Sequence, residues 1–173
     1  MKLIPLKQWY CDKCGQVIEK PEQGWLEWLH DGKFRAYGFK IVHHLKYSPI
    51  GNEDGAPSCY HYDHLEACRM DDHLDHFVGE DGLAVLLSMI DPDPRDRSAY
   101  PEVVNIREWA KLVRRLYVPH YEEARRYWVD ASNDGMLADL NELQPYLQET
   151  LKEIISTYSE QDEQEATEES CSG

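Results

Sequence analysis

The sequence predicts an α+β chain in which a β-hairpin module at the N-terminus packs on a mostly helical C-terminal half. Three observations carry that expectation. Asp31-Gly32 lies between two aromatic and aliphatic runs within GWLEWLHDGKFRAYGFKIVHH, a hairpin signal because glycine accepts the backbone of a tight turn. Ile106, Trp109, Ala110, Val113, Leu116 and Tyr117 recur at helical period and make an apolar stripe. A close cysteine pair, Cys11-Asp12-Lys13-Cys14-Gly15, precedes the hairpin in a chain whose other cysteines are scattered.

Taken in order, residues 16 to 18 read as a short strand leaving the cysteine pair. In the second arm of the hairpin, strand alternation puts Phe39, Ile41 and His43 on one face, and Lys40, Val42 and His44 on the other. Residues 46 to 58, with Pro49, Gly51, Asn52, Asp54, Gly55 and Pro57, form a loop. The His- and acid-rich stretch after Cys59 is expected to turn helical near Asp63. GEDGLAVLLSMI reads as a buried helix beginning near Asp81 or Gly82, and DPDPRDRSAYP, residues 91 to 101, as a proline-rich linker. Asn105-Ile106-Arg107-Glu108 has the pattern of a capping box, in which the first side chain caps the helix and the fourth reaches back. Pro119 breaks that helix, and helix resumes through Tyr121, Ala124 and Trp128. Asn133-Asp134-Gly135 is a turn, and a last helical stretch carries Leu137, Leu140, Leu147, Leu151, Ile154, Ile155 and Tyr158, bent at Pro145. The expected domains are a module over 1–90, the linker 91–101, a helical region 102–158 and a disordered acidic tail 159–173, where six acidic residues from Glu160 onward meet no basic one.

Composition narrows the function classes. The chain has 173 residues and a net charge of -15, which disfavours a general grip on a nucleic-acid backbone. It contains no apolar run long enough to cross a bilayer. The N-terminus MKLIPLKQWYC lacks the apolar core and cleavage site of a signal peptide, so the expected location is cytoplasmic, where thiols stay reduced. Five cysteines, Cys11, Cys14, Cys59, Cys68 and Cys171, are an odd set, and metal binding explains the close pair better than a disulfide framework.

Two thiolates separated by two residues and followed by glycine form a knuckle that aims both sulfurs at one ion, and structural zinc takes four such ligands. The remaining two come from His43, His44, Cys59, His61, His64 and Cys68. A hairpin that leaves the knuckle and returns brings His43, on the buried Phe39/Ile41 face, back to the ion. Cys59 follows at the start of the next ordered segment. The expected ligand set is therefore Cys11, Cys14, His43 and Cys59 around a structural Zn2+, with His44 or Cys68 as the alternatives. A redox role for the pair is disfavoured because the motif lacks a βαβ setting. His73-x-x-His76, like His61 and His64, reads as a solvated face.

Two resemblances follow. The CDKCG knuckle, hairpin and later His and Cys resemble a zinc ribbon or related zinc-finger module over residues 9 to 68, which implies zinc for folding and a surface for protein or nucleic-acid contact. IVHHLKYSP, then DHLEAC, then DDH, is similar to the ββα-metal motif of HNH nucleases. That resemblance implies His44 as general base, His73 as ligand of a catalytic ion, and Cys11, Cys14 and Cys68 as structural, with His64 where the motif has Asn. Such hydrolysis needs a neutral His and a metal. Arg107, Lys111, Arg114 and Arg115, followed by Arg125 and Arg126, form a basic face expected to be solvated or to meet an acidic partner or a nucleic acid. The leading expectation is a zinc-stabilised, non-enzymatic protein acting through an unknown protein partner. The alternatives are an HNH-like nuclease and a nucleic-acid-binding regulator using the Arg107–Arg126 face.

Overall fold

The structure, a computed structural model, describes residues 2–51, 55–56, 58–91 and 100–171, excluding the side chains of 66, 67 and 160 onward. The chain forms two compact units. One comprises Leu6–Tyr117, and the other Met1–Pro5 together with Val118–Gly173.

In the first unit, β1 (Trp9–Tyr10) pairs antiparallel with β2 (Val17–Ile18) across the cysteine knuckle. A second, antiparallel sheet has the order β4-β3-β5, with β3 Gly24–His30, β4 Ala36–His43 and β5 Arg69–His73. The hairpin forms where the sequence places it, by a different turn chemistry. Asp31 Oδ1 accepts from the backbone of Lys33 and Arg35, its other oxygen holds the Arg35 guanidinium at 2.7 Å, and the left-handed residue is Phe34, not Gly32. A bulge shifts the β3–β4 register between Glu27 and Leu29, opposite Gly38, whose φ is 71°. A Cβ there would meet the Tyr62 hydroxyl at 2.7 Å, so glycine is required twice over.

β5 corrects the sequence reading. The segment expected to be helical from Asp63 forms a 3-10 turn only to Cys68, and RMDDH then becomes the third strand. Nothing in its composition favours a strand. Its polar side chains are held by tertiary partners: Tyr100 and His76 bond the Asp72 carboxylate, at 2.6 and 3.0 Å, while Met70 packs on the core. Cys68, an alternative metal ligand by the sequence reading, is exposed.

Helix α1 (Gly79–Ser88) forms as expected, but only Gly82, Leu86 and the following Met89 are buried; Leu83 and Leu87 face outward. In α2 (Ile106–Tyr117) Trp109 and Leu116 of the expected stripe, joined by Leu112, enter the same core as Trp9, Ile18, Leu26, Trp28, Ile41 and Phe77, while Ile106 is exposed. Each such side chain contributes about 1.5–3 kcal/mol when fully buried. Asn105 caps α2 through the N–H of Arg107 at 3.1 Å. Glu108, expected to reach back, instead accepts from the backbone of Gly38 at 2.8 Å. This packing places α2 in the first unit, so the chain divides after Tyr117 and not at the expected linker. Most of that linker, 92–99, lies outside the described residues.

The second unit is helical: α3 Tyr121–Ala124, α4 Trp128–Asn133 and α5 Gln148–Cys171. Its core holds Tyr121, Ala124, Tyr127, Ala131, Leu151, Ile154, Ile155 and Tyr158. Pro119 ends the preceding helix, and His120 adopts a left-handed φ of 67°. Leu137 and Leu140, expected in the last helix, lie before it, Leu137 in a turn and Leu140 in irregular chain. Residues 159–171 of the segment expected to be a disordered tail continue α5, and the side chains beyond Ser159 lie outside the described residues.

Candidate metal centre

Cys11 and Cys14 sit on a tight reversal closed by two backbone hydrogen bonds, Gly15 N–H to the Cys11 carbonyl and Cys11 N–H to the Gln16 carbonyl, both 2.9 Å. Gly15 has φ 74°, which the reversal requires and other residues resist. His43 ends β4, and Cys59 follows the loop after it. The donor atoms of Cys11, Cys14, His43 and Cys59 all lie within 4.8 Å of one another, so the four could hold a metal ion. His43 Nδ1 is 3.5 Å from the Cys14 sulfur and 3.8 Å from that of Cys59. A tetrahedral ion with metal–sulfur and metal–nitrogen bonds of about 2.3 and 2.0 Å needs donor separations of about 3.5–3.8 Å. The chemistry and spacing of the donors therefore fit an ion.

Surrounding groups orient the donors. His43 Nε2 faces the Val17 carbonyl at 3.3 Å; a ligating His43 donates there and offers its Nδ1 lone pair to the ion, giving up the Nδ1 proton that otherwise bonds the Cys11 sulfur. The Ser48 hydroxyl donates to the Cys59 sulfur at 3.1 Å. Burial opposes charge on Cys11, but the His43 ring and the N–H groups of Cys14 and Lys13 outweigh it and hold this thiol at about 6. Burial raises Cys14, and pushes Cys59 up to about 12 against the Ser48 hydrogen bond. Three sulfurs this close cannot all carry charge unaided, and a divalent cation reverses that balance.

Three residues that sequence reasoning did not assign to the site hold its frame. Glu27, fully buried on β3, accepts from the backbone of His61 at 2.8 Å and Tyr62 at 3.0 Å, which suspends the segment carrying Cys59 from the sheet. Asp12, inside the knuckle, accepts from Ile41 N–H at 2.8 Å and from the Arg115 guanidinium at 2.6 Å. Arg115 was expected on a solvated basic face; it is 8% exposed and reaches inward because the knuckle offers it a carboxylate and the Tyr10 carbonyl. A charged residue inside a CxxC pair was the one available signal for Asp12.

The other candidate ligands stand apart. His44 points away from the cluster, its Nδ1 accepting from Lys46 N–H at 3.0 Å, with its ring 4.4 Å from Trp25 and 5.4 Å from His73. His64 and Cys68 are exposed. His61 is partly buried, and burial lowers its pKa. His73 is exposed, and His76, also exposed, pairs with Asp72. The side chain of Cys171 lies outside the described residues. No helix among the described residues is long and apolar enough to cross a membrane. No protein family, curated protein or solved structure matches the chain.

Proposed function

We propose that the unit Leu6–Tyr117 is a zinc-stabilised module, and that the protein acts through contacts with a protein partner rather than by catalysis. The supporting observation is the completeness of the Cys3His set. Four protein donors within 4.8 Å of one another suffice to fill the coordination shell of zinc, and a filled shell gives no open position for substrate. Three sulfurs with one imidazole favour zinc over the hard oxygen-seeking cations. The ion joins the knuckle, the end of β4 and the Cys59 segment, which are far apart in the chain, so its role is in folding. The location proposed for the protein is the cytoplasm, where these thiols remain reduced.

Metal analysis of freshly purified, reduced protein should find one zinc per chain, and chelation should unfold the module. Protein free of metal, or chelated protein with an unchanged near-ultraviolet spectrum, would sink the reading. The nuclease alternative gains one observation, the 5.4 Å approach of the His44 and His73 rings. Against it, a His44 Nδ1 that accepts from Lys46 N–H leaves Nε2 carrying the proton, a donor and not a base. Nicking of plasmid DNA by the wild-type protein with Mg2+, abolished in a folded His44→Ala variant, would reverse this preference. The basic-face reading loses Arg115 to the Asp12 ion pair and Arg125 to a pairing with Glu122 at 2.8 Å.

A further inference from the structure

We propose that Asp12 and Arg115 are positioning residues that couple occupancy of the Cys3His centre to the docking of α2; this rests on the metal reading above. Asp12 is one of the two residues spanned by the cysteine pair, so the knuckle conformation that aims both sulfurs at an ion also fixes its carboxylate. Asp12 N–H donates to the Ile41 carbonyl at 2.7 Å, and Ile41 N–H returns a bond to Asp12 Oδ2 at 2.8 Å. Ile41 lies two residues before His43, so this exchange sets the spacing between the knuckle and the histidine donor.

The same Oδ2 takes Arg115 Nη1 at 2.6 Å, with the two side chains only 9% and 12% exposed. Arg115 Nη2 donates to the Tyr10 carbonyl at 3.2 Å, and Trp9 Nε1 donates to the Arg115 carbonyl at 3.2 Å. Residues 9–12 thus hold one residue in the last turn of α2 through both its side chain and its backbone. Releasing the ion frees the knuckle, which moves Asp12 and breaks its 2.6 Å ion pair with Arg115 in a low-dielectric setting, a costly loss. The cheaper outcome is for the end of α2 to lift, exposing Leu112 and Leu116. Coupling of this kind is reciprocal: what undocks α2 also weakens the metal.

The test uses the full chain with zinc or cobalt. In wild-type protein, chelation should raise amide hydrogen exchange over 106–117 together with the knuckle. Asp12→Asn and Arg115→Met should each weaken zinc by about 10–100-fold in chelator competition, the range for groups that orient ligands. The Asp12→Asn/Arg115→Met double variant should lose little more than either single one, and Arg115→Lys should recover part of the loss. Exchange over 106–117 that does not respond to chelation, or additive losses in the double variant, would overturn the coupling while leaving the metal reading intact. Wild-type protein that gives no thiolate–cobalt absorption would overturn both. Where a variant fails to fold, the exchange of wild-type protein with and without chelator decides alone.

Discussion

Glu27 offers a quantitative test of how the Cys59 segment is held. Its side chain is fully buried, and each carboxylate oxygen accepts one backbone N–H, from His61 and Tyr62. Glu27→Gln keeps one carbonyl oxygen and turns an amide NH2 toward the other donor, leaving one buried N–H unsatisfied at a cost of about 1–3 kcal/mol. That cost depends on pH. Burial raises the Glu27 pKa above its ordinary 4.5, and the two backbone donors and Arg69 only partly oppose it. The fold therefore binds this proton more tightly than the unfolded chain does. Stability from the protonated group is complete below 4.5 and is lost as pH rises through the higher folded value. Glutamine has no proton to lose, so the advantage of wild-type over variant should shrink with rising pH, by at most about 1.4 kcal/mol per unit. Paired urea titrations at matched metal, stepped from roughly pH 4.5 to 8, measure that difference. A difference independent of pH would refute the raised pKa. A variant as stable as wild-type throughout would show that this carboxylate does not hold the segment.

Trp9 and Trp28 are both buried, but Trp9 Nε1 donates to the Arg115 carbonyl while Trp28 Nε1 finds no protein acceptor among the described residues. Trp9→Phe should therefore cost about 1 kcal/mol more than Trp28→Phe in urea unfolding, and equal costs would contradict the Trp9 bond. A Cβ on Gly82 would clash with the Phe77 carbonyl carbon and lie 2.5 Å from the Tyr117 hydroxyl. Gly82→Ala should destabilise by about 1–3 kcal/mol in a thermal melt, although alanine is the better helix former; a stabilised variant would mean that this contact is not tight. The Arg35 guanidinium beside Asp31 lowers that carboxyl to about 2, so its contribution is present above 3.8 and is lost as pH falls through about 2. In Arg35→Gln the Asp31 carboxyl should titrate closer to 3.8 by NMR, and an unmoved titration would break the assignment.

The hairpin and α2 were legible because their signals are local: strand alternation around Asp31-Gly32 and a helical-period stripe ending in Leu116 and Tyr117. The cluster of Cys11, Cys14, His43 and Cys59 was legible for a related reason. The knuckle is a contiguous motif, and the antiparallel return of β4 carries His43 back to it; the expected one-sided burial of that strand does not hold, since Val42 is as buried as Ile41 and Phe39 only half-buried. Strand β5 was not legible. RMDDH has no strand pattern of its own, and it pairs with β3 because Tyr60 and, from further along the chain, Tyr100 accommodate its acids, with the nearby His76 also on Asp72. Arg115 was misread because helical period says which residues share a face, not what that face meets. Local periodicity and ligand spacing thus lie within the sequence itself. Only the tertiary structure decided that a buried carboxylate suspends the Cys59 segment and that a helix arginine closes on the knuckle. Both depend on charges being desolvated together by segments tens of residues apart, and no short stretch of sequence carries that information.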